Sequence, residues 1–342
     1  MNGTPDPSCH GTSETLPAAV WRPASPANRS SYRALPHQQN GRRMVCCRLL
    51  PHRLMHVGVD GGASNTRVKR LDADGRARTA VLAGPSSLTL GVEGAWGHIV
   101  EVLAAVGIGA EEYPQCHLAC ALAGTRRSVG RAAFLATGPA FASLALCSDG
   151  HATVLGAHSG RAGAAVSIGT GVVGNCVALD GTARQVGGWG FPVRDEASGA
   201  WLGRLVLAEA LRVLDGYDLV ATPLHHAVIA AVGPSMDAVA VWTYQAPSTR
   251  YATLAPLVVD AADRGDSAGL RLVRLAAHEA EQLVNALDPR GELPLCLGGS
   301  LAVPILNYMA GRVMARVQPS QGDACDGALL VARGLAQTDL PT

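Results

Sequence analysis

The sequence predicts an α/β protein built from two lobes of like architecture. An internal repeat is the main observation: a unit of strand, glycine turn, strand, hairpin turn and strand begins at Met55 and returns near Ala164. Composition supports it, because 40 glycines, 48% hydrophobic residues and only 4% aromatic residues suit helices packed closely on sheets. The length of 342 residues is sufficient for two domains.

Each copy of the repeat combines short apolar runs with turn-forming residues. The first copy has strands at residues 56–59, 68–71 and 77–82. The second has them at residues 164–168, 177–179 and 183–186. A glycine turn follows the first strand of each copy, and an Asp-Gly turn precedes the third. The repetition predicts two sheets of similar design.

Helices are predicted between and after these units. Apolar side chains recur at helical spacing over residues 92–106, 197–214 and 270–287. Asp288-Pro289 ends the third helix. A strand at 293–297, a turn at 298–300 and a further helix at 303–317 follow.

Residues 1–54 differ in composition from the rest. They are rich in Pro, Ser, Asn, His and Arg, and they contain no apolar core of a signal peptide. We expect a disordered extension, because so little apolar surface cannot offset the entropy of ordering. The favoured explanation for this composition is that Met55 is the natural start of the protein. The alternative is that residues 1–54 form an Arg-rich arm that binds RNA or a membrane.

Charge and cysteine usage exclude several classes of protein. The net charge is +1, with no basic stripe of the kind that binds nucleic acid. No apolar run approaches the roughly 18 residues of a membrane-spanning helix. The nine cysteines form no Cys-x-x-Cys pair, so we expect no disulfide framework and no metal site, but buried thiols in a reducing cytoplasm.

Three glycine turns follow apolar strands, and such turns let backbone N–H groups approach a phosphate. They are Gly61-Gly62, Gly169-Thr170-Gly171 and Gly298-Gly299. Tight packing is the alternative explanation for any one of them, but three in this order favour nucleotide phosphates. The second turn matches a dinucleotide fingerprint only as a string, because a strand and not a helix follows it. No Gly-Lys-Ser/Thr follows any of the turns, which excludes a Walker A loop.

Two aspartates stand where apolar strands end. Asp60 precedes the first glycine turn, where a carboxylate would hold Mg²⁺, and a turn-capping role is the alternative. Asp149 ends another apolar run, where a carboxylate could accept the proton of an attacking sugar hydroxyl. A helix cap is the alternative for Asp149.

Residues 187–199 form the most unusual stretch, because they combine turn formers with Trp189, Asp195 and Glu196 just before a helix. Sugars are commonly bound by aromatic faces and by carboxylates that accept paired hydroxyls. We therefore favour ligand contact here over a simple capped helix start.

Together these motifs resemble the BadF/BadG/BcrA/BcrD-type ATPase family, and within it the bacterial glucosamine and N-acetylglucosamine kinases. The resemblance runs from residue 57 to about residue 334. It rests on nine motifs: Val57-Gly58-Val59-Asp60-Gly61-Gly62, Leu122-Ala123-Gly124, Ser148-Asp149, Leu155-Gly156-Ala157-His158, Ile168-Gly169-Thr170-Gly171, Gly188-Trp189-Gly190-Phe191-Pro192, Ser198-Gly199-Ala200, Gly298-Gly299-Ser300 and Asp326-Gly327-Ala328-Leu329.

The resemblance implies two actin-like (ribonuclease H-like) lobes, each with a mixed five-stranded sheet flanked by helices, and a cleft between them. The lobes would span residues 55–160 and 161–323, with a helix at 324–338 packing back on the first. The implied substrates are ATP with Mg²⁺ and a small amino sugar, most of all glucosamine phosphorylated on its 6-hydroxyl. No nucleic acid or membrane partner is implied. The resemblance leaves it undecided whether the protein forms a homodimer.

The family pattern also implies roles for single residues. Asp60 would organise Mg²⁺, and Asp149 would be the base at the 6-hydroxyl. The ATP-binding positions would be Gly61, Gly62, Ser64, Asn65, Thr66, Gly169, Thr170, Gly171, Gly298, Gly299 and Ser300. The sugar-binding positions would be Ser87, Asp149, Trp189 and Asp195. The chain departs from the family pattern at Ala63, Ser64, Ser87 and Val172, and Ala63 could displace the first turn.

Three alternatives accompany glucosamine kinase. N-acetylglucosamine kinase has the same chemistry with a different amine substituent. A second branch of the family drives electron transfer through a cluster held by cysteines at a dimer interface, and no suitable cysteine pair lies beside the Gly188-Trp189 loop. A sugar sensor that binds and closes without turnover is the third.

Overall fold

The computed structural model describes residues 54–72, 74–126, 128–217 and 220–340. The extension predicted for residues 1–54 therefore lies outside the described residues, apart from Leu54 itself.

The first sheet has five strands, as the resemblance to the family implies. Across the sheet, the strands lie in the order third, second, first, fourth, fifth, where the ordinals give their order along the chain. The first three strands form an antiparallel meander, and the first, fourth and fifth run parallel. The strands are β1 (Met55–Gly61), β2 (Asn65–Leu71), β3 (Ala77–Ala83), β4 (Cys116–Leu122) and β5 (Ser143–Ser148).

Three helices accompany this sheet: α1 (Val92–Ala105), α2 (Ser128–Thr137) and α3 (Asp149–Ala157). The core between the first two helices and the sheet includes Ile99, Leu103 and Phe134, all fully buried against β1 and β4. Such burial of large apolar side chains contributes roughly 1.5–3 kcal/mol each. Because α3 starts directly where β5 ends, its first residue lies at the carboxyl edge of the sheet.

The second sheet has four strands, where five were predicted. Its strands are β6 (Gly163–Ile168), β7 (Val172–Val177), β8 (Ala183–Gly187) and β9 (Leu295–Gly298), in the order β8, β7, β6, β9. Only an isolated bridge from Leu295 to Val317 stands where a fifth strand would pair. Leu295 N donates to Arg316 O and Gln318 N donates to Leu295 O, and no further backbone hydrogen bond extends this pairing in the described residues. The alternating repeat unit is otherwise confirmed, although β7 begins five residues earlier than predicted.

Helices between β8 and β9, and after β9, cover the second sheet. Two of them begin at capping side chains: the Ser198 hydroxyl accepts a hydrogen bond from Trp201 N, and Asp266 accepts bonds from Ala268 N and Gly269 N. The helices are α4 (Gly199–Leu214), α5 (Pro223–Val232), α6 (Met236–Thr243), α7 (Ser248–Ala252), α8 (Ala255–Asp263), α9 (Ser267–Leu287), α10 (Ala302–Leu306) and α11 (Gly311–Met314).

The predicted helix over residues 303–317 is wrong, because the chain forms the two short helices α10 and α11 instead. Ala310, between them, has an extended backbone with φ −63° and ψ 142°. Its N–H donates to the carboxylate of Glu281 on α9 rather than to a carbonyl four residues earlier. A tertiary contact therefore replaces the hydrogen bond that would continue the helix.

The last helix, α12 (Ala324–Ala332), crosses β1 and α3 at very short range. Three glycines make this approach possible. A Cβ added at Gly58 would lie 2.4 Å from Cys325 O, one at Gly156 would lie 1.8 Å from Asp323 O, and one at Gly327 would lie 1.9 Å from Ala152 O. Larger side chains at these positions would push the helices apart.

The six cysteines in the described part of the chain are buried and free, as the sequence predicts. Burial raises the pKa of each of these thiols, to about 12 for Cys116. They therefore pack as small apolar side chains.

Among the described helices, none alone has the length and apolar character needed to span a membrane; only α5 and α6 taken together, with a 73° bend between them, reach that threshold.

Candidate functional site

The first glycine turn, between β1 and β2, is fixed by backbone hydrogen bonds. Gly62 N donates to Asn65 O at 3.0 Å, and Gly62 O accepts the N–H groups of Ser86 and Ser87, each at 3.1 Å. A Cβ at Gly61 would lie 2.6 Å from the side chain of Ser86, so only glycine fits there. Ala63 is not in the left-handed region, and the displacement expected from its methyl group is therefore not required.

Two residues with predicted ligand roles are buried. Thr66 is fully buried, and its hydroxyl donates to Gly84 O at 2.8 Å and contacts the hydroxyl of Ser86. Ser87 is 3% exposed, and its hydroxyl bonds that of Thr89 at 2.8 Å. Both side chains hold the turn and its neighbouring loop in this structure, and neither lines any of the three cavities described for this part of the chain. Ser64 and Asn65 are exposed.

Asp60 lies on β1 immediately before the turn. Its Oδ2 accepts hydrogen bonds from the guanidinium of Arg67 on β2, at 2.9 Å from Nε. Arg67 also lies 3.4 Å from Asp323, the capping residue of α12. Oδ1 of Asp60 has no hydrogen bond to the described residues. One carboxylate oxygen thus remains available at the mouth of the turn.

Asp149 is the first residue of α3, directly after β5. Its side chain is exposed to solvent, although enough protein lies around it to reduce its solvation. Desolvation therefore raises the pKa of its carboxyl; the N–H of Gly150, which donates to it at 2.9 Å, opposes this, and the charges of Asp60 and Asp339 raise the pKa further. Asp60 pairs in register with Ala121 of β4, and Ala121 pairs with Cys147 of β5, so the two predicted carboxylates lie two strands apart at the same carboxyl edge of the sheet.

A cavity of about 460 Å³ opens beside Asp149, between α3 and the second sheet. Asn175, in the middle of β7, is 92% buried, and a Cβ at Gly150 would lie 2.5 Å from its amide. Asn175 and Gln185 were not among the predicted site residues, although a polar residue inside an apolar strand is a usable signal. The lining residues are Asp149, Gly150, Thr153, Ala157, Ala165, Val166, Ser167, Val173, Asn175, Gln185, Gly188, Cys296, Leu297, Gly298 and Ser320.

The second and third glycine turns lie side by side, because β6 and β9 are parallel neighbours. Gly299 has φ +92°, and a Cβ there would lie 2.3 Å from Ile168 O. The second turn rests on the start of α4, where Gly199 N donates to Gly169 O at 2.7 Å and Ala200 N donates to Thr170 O at 3.2 Å. These contacts fix the two turns relative to each other.

A second cavity, of about 380 Å³, adjoins both of these turns. Residues of α7 and α8 form its far wall, and they were not predicted because no sequence motif marks them. The lining residues are Gly169, Thr170, Gly199, Thr249, Ala252, Thr253, Ala255, Pro256, Val259, Asp260, Ser300, Leu301 and Pro304.

The loop after β8 has unusual backbone geometry. Asp195 and Ala197 have φ values of +82° and +77°, a region that non-glycine residues rarely adopt. Asp195 is buried and accepts the N–H of Gly190 at 3.3 Å, while Trp189 is 73% exposed. Ser87, Trp189 and Asp195 line neither of the two cavities described above.

The two carboxylates of this loop differ in their partners. Burial raises the pKa of Asp195; the backbone N–H groups of Gly190, Val172 and Phe191 oppose this, and Glu196 adds to it. Within the described ranges no basic side chain pairs with Asp195. Glu196, in contrast, pairs with Arg194 at 2.9 Å. Asp195 is therefore a buried acidic group that lacks a cation.

The two mixed sheets define a class of protein: an α/β protein of actin-like architecture. The model of the BadF/BadG/BcrA/BcrD ATPase family matches residues 57–328. The chain belongs to this family.

Two similar proteins are informative about the family branch. The chain is 30% identical over 281 residues to glucosamine kinase GspK of Vibrio cholerae, a match that covers 81% of this chain and 95% of GspK. It is 35% identical to the crystal structure of a candidate N-acetylglucosamine kinase from Chromobacterium violaceum, with a TM-score of 0.72, covering 82% of this chain and all of that one. A second structure of that description, from Porphyromonas gingivalis, shares the fold at 18% identity and a TM-score of 0.59, and covers 82% of this chain and 99% of that one.

Proposed function

We propose that the protein transfers the γ-phosphate of ATP to the 6-hydroxyl of an amino sugar, with glucosamine as the preferred substrate. The observation that carries the proposal is the placement of Asp149 at the edge of a cavity, close to Asp60 and its glycine turn. Phosphoryl transfer needs a positioned acceptor for the hydroxyl proton and electrostatic stabilisation of the phosphates, and these residues would provide both. N-acetylglucosamine is the alternative substrate.

In this proposal the glycine turns hold the phosphates. Gly62 N and Gly169 N already donate within their turns, so the N–H groups of Ala63 and Thr170 would be the ones to meet phosphate oxygens. Mg²⁺ fits Asp60, because this ion usually takes one or two carboxylates together with phosphate oxygens and water, and Oδ1 of Asp60 is free for it. When bound, the ion would neutralise charge on the β- and γ-phosphates.

Asp149 would accept the proton as the sugar oxygen attacks phosphorus. Its raised pKa brings the carboxyl nearer to neutral pH, where a general base is most effective. The first turn of α3 fixes the carboxylate through the Gly150 N–H. Asn175 and Gln185 would hydrogen-bond the sugar hydroxyls in the same cavity.

The cavity between α4, α7 and α8 would hold adenosine. We expect Ala252→Phe, which places a ring in this space, to raise KM for ATP about tenfold or more while KM for the sugar changes little. Initial rates at varied ATP and varied sugar would check this. Ala240→Phe, on the exposed face of α6, is the matched control. Equal KM values for ATP in the two variants would contradict the assignment.

The preference for glucosamine rests on Asp195. A buried carboxylate is normally paired with a cation, and Asp195 has none among the described residues. Asp195 does not line the cavity beside Asp149, so the ammonium group of glucosamine would meet it only if the loop at residues 188–195 closes onto the bound sugar. Glu196 is already neutralised by Arg194, so of the two adjacent acids only Asp195 supports this argument. The similarity to a glucosamine kinase over nearly its whole length supports the same substrate.

We expect kcat/KM to favour glucosamine over N-acetylglucosamine by about tenfold or more, because one misplaced contact of this kind costs about 1–3 kcal/mol. A panel of sugars with ADP release as the readout measures the ratio. Asp195→Asn should reduce this ratio toward one, since the amide offers no charge to the ammonium group.

Glu196→Gln is the matched control, because it removes an adjacent carboxylate that Arg194 already neutralises; its ratio should stay near that of the wild type. An equal or better rate with N-acetylglucosamine in the wild type would overturn the substrate proposal and leave the kinase proposal intact.

A further inference from the structure

The last described segment, residues 333–340, returns from α12 to the start of α3. Ala336 packs against the apolar core that α3 and α12 share. Leu340 packs against the core of the first sheet. The segment is therefore anchored at both ends, and the residues between these anchors are held in place.

Asp339, in this segment, binds the residue that precedes Asp149. Its carboxylate accepts two hydrogen bonds from Ser148, one from the backbone N–H at 2.9 Å and one from the hydroxyl. The Ser148 hydroxyl in turn accepts the N–H of His151 at 3.1 Å and so caps α3. Asp339 thus fixes the orientation of the capping hydroxyl.

A second contact from the same segment reaches the other side of Asp149. His151 is 93% buried, and its Nε2 donates to Gln337 O at 2.9 Å. The residues on both sides of Asp149 are therefore bound to the C-terminal segment. No other described element makes hydrogen bonds to the side chains of both Ser148 and His151.

The charges around Asp149 come from several elements. Asp60 on β1 and Asp339 are the acids that raise its pKa, and Arg67 neutralises part of the charge of Asp60. Asp339 also lines a cavity of about 250 Å³. The basic groups on that cavity's wall are Arg126, Arg131, His151 and Arg184.

We propose that Asp339 is a positioning residue for Asp149, and that residues 337–340 form a C-terminal latch that fixes the first turn of α3. The inference rests on the proposed function, since it gives Asp149 the role of base. A charged acceptor holds Ser148 more firmly than a neutral one, because hydrogen bonds to ionised groups are roughly twice as strong. A displacement of the base by about 1 Å is sufficient to slow a reaction by about 100-fold.

The test compares Asp339→Ala with Asp339→Asn in the full chain. Asp339→Ala should lower kcat by about 10-fold to 100-fold, with a smaller change in KM for the sugar. Asp339→Asn keeps an acceptor for the Ser148 N–H, so it should recover part of kcat. In both variants the acid limb of the pH–rate profile should move to lower pH, because removal of a nearby negative charge lowers the pKa of Asp149.

Hydrogen exchange gives a readout that does not depend on activity. The backbone amides of Ser148 and His151 should exchange faster in Asp339→Ala, whether or not any sugar is phosphorylated. Asp266→Asn is the matched control, because Asp266 also accepts two hydrogen bonds at a helix start but caps the distant α9. Its kcat and acid limb should stay as in the wild type even if its melting temperature falls.

Unchanged exchange at Ser148 and His151 in Asp339→Ala would overturn the latch. Faster exchange with unchanged kcat and pH profile, in a wild type that phosphorylates sugars, would overturn the positioning role. If the wild type phosphorylates no sugar, the kinase proposal fails, and the exchange result still decides whether the latch exists.

Discussion

Asp149→Asn should lower kcat by about 10²–10⁴-fold while sugar and ATP still bind. The amide keeps the shape of the carboxyl and can still accept the Gly150 N–H, but it cannot take the proton of the attacking hydroxyl. Steady-state rates with saturating substrates measure the loss, and calorimetric titration with the sugar checks that binding remains.

Asp180→Asn is the matched control for this result. Asp180 lies in the exposed hairpin between β7 and β8, where its carboxylate accepts the N–H of Thr182. Its replacement should leave kcat unchanged. A near wild-type kcat in Asp149→Asn would show that another group accepts the proton.

Gly156→Ala should destabilise the protein by about 1–3 kcal/mol or more, because an added Cβ would lie 1.8 Å from the backbone oxygen of Asp323, the capping residue of α12. The backbone there cannot move without separating α3 from α12. Chemical denaturation followed by circular dichroism measures the change in the free energy of unfolding, and kcat should fall with it because α3 carries Asp149.

Gly97→Ala controls for the helix propensity of alanine. Gly97 lies inside α1 on an exposed face, and a Cβ there meets no atom within 4 Å. Alanine should stabilise this helix by up to about 1 kcal/mol. Similar stabilisation by both substitutions would mean that α3 and α12 are not in close contact.

The antiparallel part of each sheet was predictable because its signals are local. Apolar alternation and turn residues mark β1, β2 and β3, and the same pattern marks β6, β7 and β8. Two features were not predictable. The expected fifth strand of the second sheet is reduced to one bridge between Leu295 and Val317. The expected helix at 303–317 is interrupted at Ala310, whose N–H donates to the carboxylate of Glu281. Both contacts join residues of different elements, so no local sequence pattern reports them.

The candidate site shows the same division. Asp60 and Asp149 could be found because each stands at the end of an apolar run, and the ends of parallel strands meet at one edge of a sheet. Thr66 matches the family motif, and a role in ATP binding was therefore predicted. In the structure its side chain is buried, and its hydroxyl donates to Gly84 O instead. No local sequence pattern marks the cavity wall that α7 and α8 form, or Asp339, which binds Ser148. Only tertiary packing brings these residues to the site.

The central claim is phosphoryl transfer to the 6-oxygen of an amino sugar. ³¹P nuclear magnetic resonance of a reaction containing the protein, ATP, Mg²⁺ and glucosamine tests it most directly, because coupling to the protons on carbon 6 identifies the phosphorylated oxygen. We predict one 6-phosphate for each ADP formed. ADP accompanied only by inorganic phosphate, or a phosphate on the anomeric oxygen, would contradict the account.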